Sequence, residues 1–121
     1  MIKNTFVYSK LKVEGIHSWS GCDVPTVKYL RHPHRHIFHI IVTYQVTHCD
    51  RDIEFIDERY NIMNFLKGQF DFNNTTSVFD FGNSSCEHIA KCIYNNYEKS
   101  DLITQIEVNE DDENGAILRR E

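Results

Sequence analysis

YLRHPHRHIFHIIVTY, residues 29–44, decides how this chain is read. Four of the seven histidines fall inside it: His32, His34, His36 and His39. Phe38, Ile40, Val42 and Tyr44 recur at every second position, the spacing of a β-strand with one buried face. His34 and His36 share that parity, so the two rings project side by side from the apolar face. Two imidazoles placed in this way reach one cation when a neighbouring strand adds a third ligand, and His-x-His on a strand is a zinc-type pattern. His17 is the candidate third ligand. The same histidines also fit a solvated, protonatable patch, and His32-Pro33-His34 meets the same spacing. His34 with His36 is preferred, because the aromatic-apolar run follows at once and Pro33 suits the start of a strand better than a ladder interior. His39 has the opposite parity and belongs to the other face. His48 and His88 have no partner spacing and read as structural or exposed.

Outward from this strand, the pattern gives an α+β order. Residues 5–17 alternate, with Leu11, Val13 and His17 on one face and Lys12 and Glu14 between them, as in a half-buried antiparallel sheet. SWSGCDVPTVKYLR, residues 18–31, has Gly, Pro and Asp without a period and reads as a loop that carries Cys22. The second strand runs from about 34 to 48. After a charged turn, Asp57 is the expected cap of a helix whose apolar positions are Tyr60, Met63 and Leu66, with Gly68 as its stop. QFDFNNTTSVFDFGN, residues 69–83, is aromatic, polar and irregular. Ser84 opens a second helix through the capping box Ser84-x-x-Glu87, and Ile89, Ile93 and Tyr97 line its buried stripe. A strand at 103–110, a turn through Asp112, Asn114 and Gly115, and a last strand from Ala116 close the chain. The expected architecture is a four-stranded antiparallel sheet with two helices on one face, ββααββ.

The bulk numbers narrow the function classes. A chain of 121 residues fits one domain, here residues 1–121. A formal charge of −5 argues against a nucleic-acid binder, which needs a basic face to displace counterions. Lys28, Arg31 and Arg35 cluster beside the histidines and can meet an anionic small molecule, or simply face solvent. Cys22, Cys49, Cys86 and Cys92 form no CxxC pair, the start MIKNTF lacks the apolar core of a signal peptide, and no apolar run reaches membrane-spanning length. The expectation is reduced thiols in a cytoplasmic protein with no membrane segment.

The order and motifs together resemble the 6-pyruvoyltetrahydropterin synthase and 6-carboxytetrahydropterin synthase family, over nearly the whole chain. A His closing the first strand corresponds to His17, and a Cys in the following loop to Cys22. The family's His-x-His with its aromatic-apolar continuation corresponds to His34, His36 and Phe38. An apolar-x-Asp step into the helix corresponds to Phe55-Ile56-Asp57. The Ser/Thr-x-Glu-Asn-Ile-Ala element resembles Ser85-Cys86-Glu87-His88-Ile89-Ala90, and Val-x-Val-x-Glu resembles Ile106-Glu107-Val108-Asn109-Glu110.

The resemblance implies the tunnelling fold, in which sheets of several subunits close into a barrel, often a hexamer or dimer of trimers. It implies Zn2+ on His17, His34 and His36, Cys22 as general base, and Glu110 as anchor of a pterin-type substrate. By the same resemblance the reaction is a lyase step on 7,8-dihydroneopterin triphosphate, with a 6-pyruvoyl or 6-carboxy product, the latter leading to 7-deazaguanines. Each role has its own chemistry: three imidazoles leave zinc an open position, and a carboxylate accepts two hydrogen bonds from an amidine-like edge. Taken alone, Glu110 beside Asp111, Asp112 and Glu113 reads as part of a solvated acidic run. One position departs from the family. Its Asp-His pair corresponds to Asp71-Phe72, so the Asp is present as a catalytic candidate while the His is Phe. That replacement opens an alternative, a non-catalytic binder of pterin or purine-like ligands on the same fold.

Overall fold

The computed structural model describes residues 4–121. Its centre is a pair of long antiparallel strands, β1 (Thr5–His17) and β2 (His34–Val46), joined by a loop containing the short 3-10 turn Pro25–Arg31. Their ladder runs without interruption from Thr5 opposite Val46 to His17 opposite His34. Leu11 lies across from Ile40 and Val13 from Phe38, so both apolar sets face the same side, as the two alternations require. β5 (Ile103–Glu110) pairs antiparallel with β2, and β6 (Asn114–Arg119) with β5.

The sheet has six strands, in place of the expected four, and it is mixed. The order is β3-β4-β1-β2-β5-β6, with β3 (Asp71–Asn73) antiparallel to β4 (Val78–Gly82) and β4 parallel to β1. The segment expected to be irregular therefore forms a hairpin. Its two strands are too short for a visible period, and only Phe79 and Phe81, two apart and both buried, mark the inward face. The turn between them is built by Asn73, whose side-chain oxygen accepts from the amides of Thr75 (2.9 Å) and Thr76 (3.0 Å).

Both helices are displaced from their expected starts. Helix α1 (Phe55–Gln69) is capped by Glu54, whose carboxylate accepts from the Ile56 amide at 3.0 Å, so Asp57 lies inside the first turn. The buried stripe is Glu58, Ile62 and Leu66, while Tyr60 is 64% exposed. Hydropathy misplaces this face because its first member is a carboxylate. Glu58 is buried where it accepts from Tyr44 Oη (3.0 Å), Tyr97 Oη (2.8 Å) and Lys99 Nζ (2.9 Å). Gly68 does not stop the helix; the chain leaves it at Phe70, which is extended.

Helix α2 (Cys86–Asn96) is capped by Ser85, one residue later than expected, through a 3.1 Å bond from the His88 amide. Ser84 is thereby freed: its carbonyl meets the His17 ring and its hydroxyl meets His88 Nδ1 at 2.9 Å. The buried positions Ile89, Ile93 and Tyr97 are those the spacing gave. Side chains of both helices join one apolar cluster with Leu11, Phe38, Ile40, Phe81 and Val108. Among the described residues no helix is long and apolar enough to cross a membrane, and all four cysteines are free.

Gly15 pairs with His36 and keeps open the space that two rings fill. A Cβ there would stand 2.5 Å from Phe81 Cε2 and 2.9 Å from Phe38 Cδ2. Both rings are buried and cannot yield, so Gly15→Ala is expected to destabilise by about 1–3 kcal/mol, the usual range for overpacking. Urea unfolding checks this, and an unchanged midpoint would contradict the packing described.

Candidate metal centre

The uninterrupted register of β1 and β2 builds the site. His17 ends β1 directly opposite His34, the first residue of β2, and His36 follows two residues on, facing the side-chain-free Gly15. The three rings stand with centroids 4.5 Å (His17–His34), 5.4 Å (His17–His36) and 5.0 Å (His34–His36) apart. One nitrogen from each lies within 4.8 Å of the others, so the group can bind a metal ion. Phe38 forms the floor, its centroid 5.1 Å from that of His17. His32 is exposed and offers its backbone instead, which selects His34 with His36 over His32 with His34.

The outer nitrogens settle the tautomers. Nδ1 of His17 bonds the Ser84 carbonyl (2.8 Å), Nδ1 of His34 the His32 carbonyl (2.9 Å), and Nδ1 of His36 the Asp111 carboxylate (2.7 Å). A carbonyl or an ionised carboxylate only accepts, so each Nδ1 carries a proton, and in the neutral ring the lone pair is left on Nε2, directed inward. Burial is the main force lowering the His17 pKa, assisted by the two neighbouring imidazoles and opposed by the Ser84 carbonyl and Glu110. His17 is thus neutral at neutral pH, the form that ligates. Two of the inward nitrogens, His17 Nε2 and His36 Nε2, are buried and have no hydrogen-bond partner among the described residues. Orphaned nitrogens of this kind are expensive in a finished fold unless something binds them. The donor set and its orphans fit a nitrogen-preferring divalent ion.

Glu110, at the end of β5, brings a carboxylate to the same place. Oε2 stands 2.9 Å from His36 Nε2 without hydrogen-bond alignment, and Oε1 lies 3.6 Å from His17 Nε2. The carboxylate also faces a cleft of about 570 Å3 whose wall includes His17, Trp19, Leu30, His34 and Ser84. Cys86, at the first turn of α2, shares the wall and directs its thiol at Glu110 Oε1 (3.6 Å). Burial and the Glu110 charge push that thiol up to about 12, so it is a neutral donor with no nucleophilic character at neutral pH.

The remaining candidates lie elsewhere. Cys22 is fully buried beneath the 18–31 loop, its thiol directed at the Val27 carbonyl (3.5 Å), and it does not line the cleft. Asp71 sits on β3 at the sheet edge and faces a separate concavity with Ile16 and Arg35. Phe72 packs on Phe79 (centroids 4.6 Å apart) under Lys67 Nζ, an apolar role that a histidine would fill poorly. Arg35 is taken up by an ion pair with Glu14, and Arg31 by the Cys22 carbonyl. Sequence reasoning passed over Asp111 and Cys86. The first was hidden in an acidic run, and the second had no partner spacing to mark it.

No protein-family model matches the sequence, and no curated protein matches it. Solved structures do match in three dimensions. The crystal structure of an uncharacterized protein from Wolinella succinogenes has a TM-score of 0.64 at 11% identity, covering 99% of this chain and 100% of that one. A 6-pyruvoyl tetrahydropterin synthase from Plasmodium falciparum has a TM-score of 0.60 at 14% identity, covering 97% and 98%. End-to-end coverage at such low identity reports shared architecture: this chain has the tunnelling fold of 6-pyruvoyl tetrahydropterin synthase.

Proposed function

We propose that the protein is a zinc-dependent lyase of the pterin synthase type, acting on 7,8-dihydroneopterin triphosphate to give a 6-pyruvoyl or 6-carboxy product. The observation that carries this reading is the convergence of three imidazole nitrogens beside a cleft lined by two of the histidines and by a carboxylate. His17, His34 and His36 hold the ion, and Zn2+ bound there would acidify hydroxyl groups of a substrate side chain. Glu110 turns from the imidazoles to accept two hydrogen bonds from the amidine-like edge of the pterin. Trp19 and Leu30 supply apolar wall for the ring. Cys22 is the proton-transfer group, which requires the 18–31 loop to open and expose the thiol. Asp71 is its acidic partner, contributed across an interface with another copy. The two sheet edges, β3 and β6, favour such assembly, since unpaired edges are normally covered. The assembly is a homo-oligomer, a hexamer or dimer of trimers, in the cytoplasm.

A second reading is a binder of pterin or purine-like ligands without turnover, and it too rests on specific observations. Phe72 cannot relay a proton, and the Cys22 thiol is sealed from the cleft. One experiment separates the two. Zinc-loaded protein incubated with 7,8-dihydroneopterin triphosphate is expected to release triphosphate and a pterin product identifiable by mass spectrometry, with loss of turnover in Cys22→Ala. Tight pterin binding without consumption would select the second reading, and neither binding nor consumption would remove both. Light scattering on the same sample reads the assembly, and a monomer would count against the shared site.

A further inference from the structure

Asp111 stands in the left-handed backbone region, which few residues other than Gly, Asn and Asp adopt readily. It and Asp112 have φ of 56° and 62°, two successive left-handed residues in the turn between β5 and β6. Asp, Asn and Gly are the residues commonest there. The turn is closed by the Glu113 amide on the Glu110 carbonyl (3.0 Å) and by the Asp112 amide on Asn109 Oδ1 (3.0 Å). Neither bond uses the Asp111 side chain.

That side chain is spent on β2 instead. The Asp111 amide donates to the Ile37 carbonyl (2.7 Å), Oδ1 accepts from the Ile37 amide (2.8 Å), and Oδ2 accepts from His36 Nδ1 (2.7 Å). Fastening the turn accounts for Oδ1 alone. Oδ2 acts on the ring, and it is the only one of the three Nδ1 partners that a side-chain substitution can remove; the other two are backbone carbonyls.

We propose that Asp111 is the positioning residue of the metal centre: its carboxylate fixes His36 as the Nδ1–H tautomer and presents Nε2 beside His17 and His34 to a divalent ion. This rests on the metal reading given under Proposed function. Carboxylate–histidine–metal relays of this type orient the ring and raise its basicity, and loss of the outer partner typically weakens metal binding 10–100-fold.

The test exploits the turn. Asp111→Asn suits the left-handed position and keeps an oxygen for the Ile37 amide. That choice places its NH2 group against His36 Nδ1, which favours the Nε2–H tautomer and removes the lone pair a metal needs. Asp111→Gly suits the backbone equally and removes the partner altogether. Both are expected to melt, metal-free, close to the parent, and to bind zinc roughly 10–100-fold more weakly in a chelator competition. Two-bond 15N–1H correlations on the metal-free proteins are expected to show His36 as Nδ1–H in the parent and as Nε2–H in Asp111→Asn. A turn-only role predicts altered melting with unchanged zinc affinity and an unchanged tautomer, and that result would overturn the proposal. A parent that takes up no zinc would overturn the metal reading instead, and the tautomer measurement would still decide whether Asp111 sets the His36 ring.

Discussion

Replacing His17 with alanine is expected to abolish tight zinc binding while the fold survives. Structural zinc sites bind with about 10–16 kcal/mol shared among four ligands, so one ligand is worth roughly 3–4 kcal/mol, a loss of two to three decades in affinity. The effect at His17 belongs at the upper end of that range. Its nitrogen is buried and orphaned, its tautomer is set by a backbone carbonyl, and the opposing His34 cannot move inward without breaking the ladder. Linkage gives a readout that needs no substrate: a ligand at a thousand times its Kd stabilises the folded state by about 4 kcal/mol. The parent should therefore gain thermal stability when zinc is added, and His17→Ala should not. His39→Ala, on the opposite face of β2 from His34 and His36, is the control and should keep the zinc-induced shift. Equal zinc shifts in the parent and His17→Ala would remove the metal centre from this protein.

Glu58→Ala is expected to destabilise the fold by about 3 kcal/mol, as much as losing a buried apolar side chain. Two hydroxyls that donate to Glu58, those of the fully buried Tyr44 and the 5%-exposed Tyr97, would be left without an acceptor, at about 1–3 kcal/mol each. Lys99, 44% exposed, returns to water with little penalty. The pH dependence has a definite sign. Burial by itself raises the Glu58 pKa, but the hydrogen bonds from Lys99, Tyr97 and Tyr44 together outweigh it and hold the carboxyl below its ordinary value. A depressed folded-state value means the contribution is complete above the unfolded carboxylate pKa, about 4.3, and is lost as pH falls through the lower folded value. Glu58→Gln retains an acceptor without the charge, so its deficit against the parent should be largest at neutral pH and shrink on acidification. A deficit that grew toward acid would mean the carboxyl is protonated in the fold. Urea midpoints at pH 7 and in the acid range measure both.

Two different kinds of information were legible in the residues. Alternation over thirteen-residue strands is long enough to fix a face, and parity alone placed His34 and His36 on the side of Phe38 and Ile40 and brought in His17. The motif order carried the architecture, and the fold likeness agrees with it. Short elements were not legible. A three-residue and a five-residue strand have no period to detect, so the pattern alone gives neither β3 and β4 nor the parallel pairing of β4 with β1. The helix caps slipped by one and three positions, because several acids and serines stood where either could cap and only the packing chose.

Which residues share a face could be read locally, because side-chain direction along a strand is a consequence of backbone geometry. Long-range packing sets which strands meet and in what register, and hence that the three Nε2 nitrogens converge. It alone decided that Ser84 and Asp111 orient the rings, that Glu58 lies among tyrosines and that Cys22 lies under its loop. Cys22 meets Val27, five residues on, but the other side-chain contacts join partners 14 to 75 positions apart, whose approach is set by the packing of the whole core and leaves no mark on neighbouring residues.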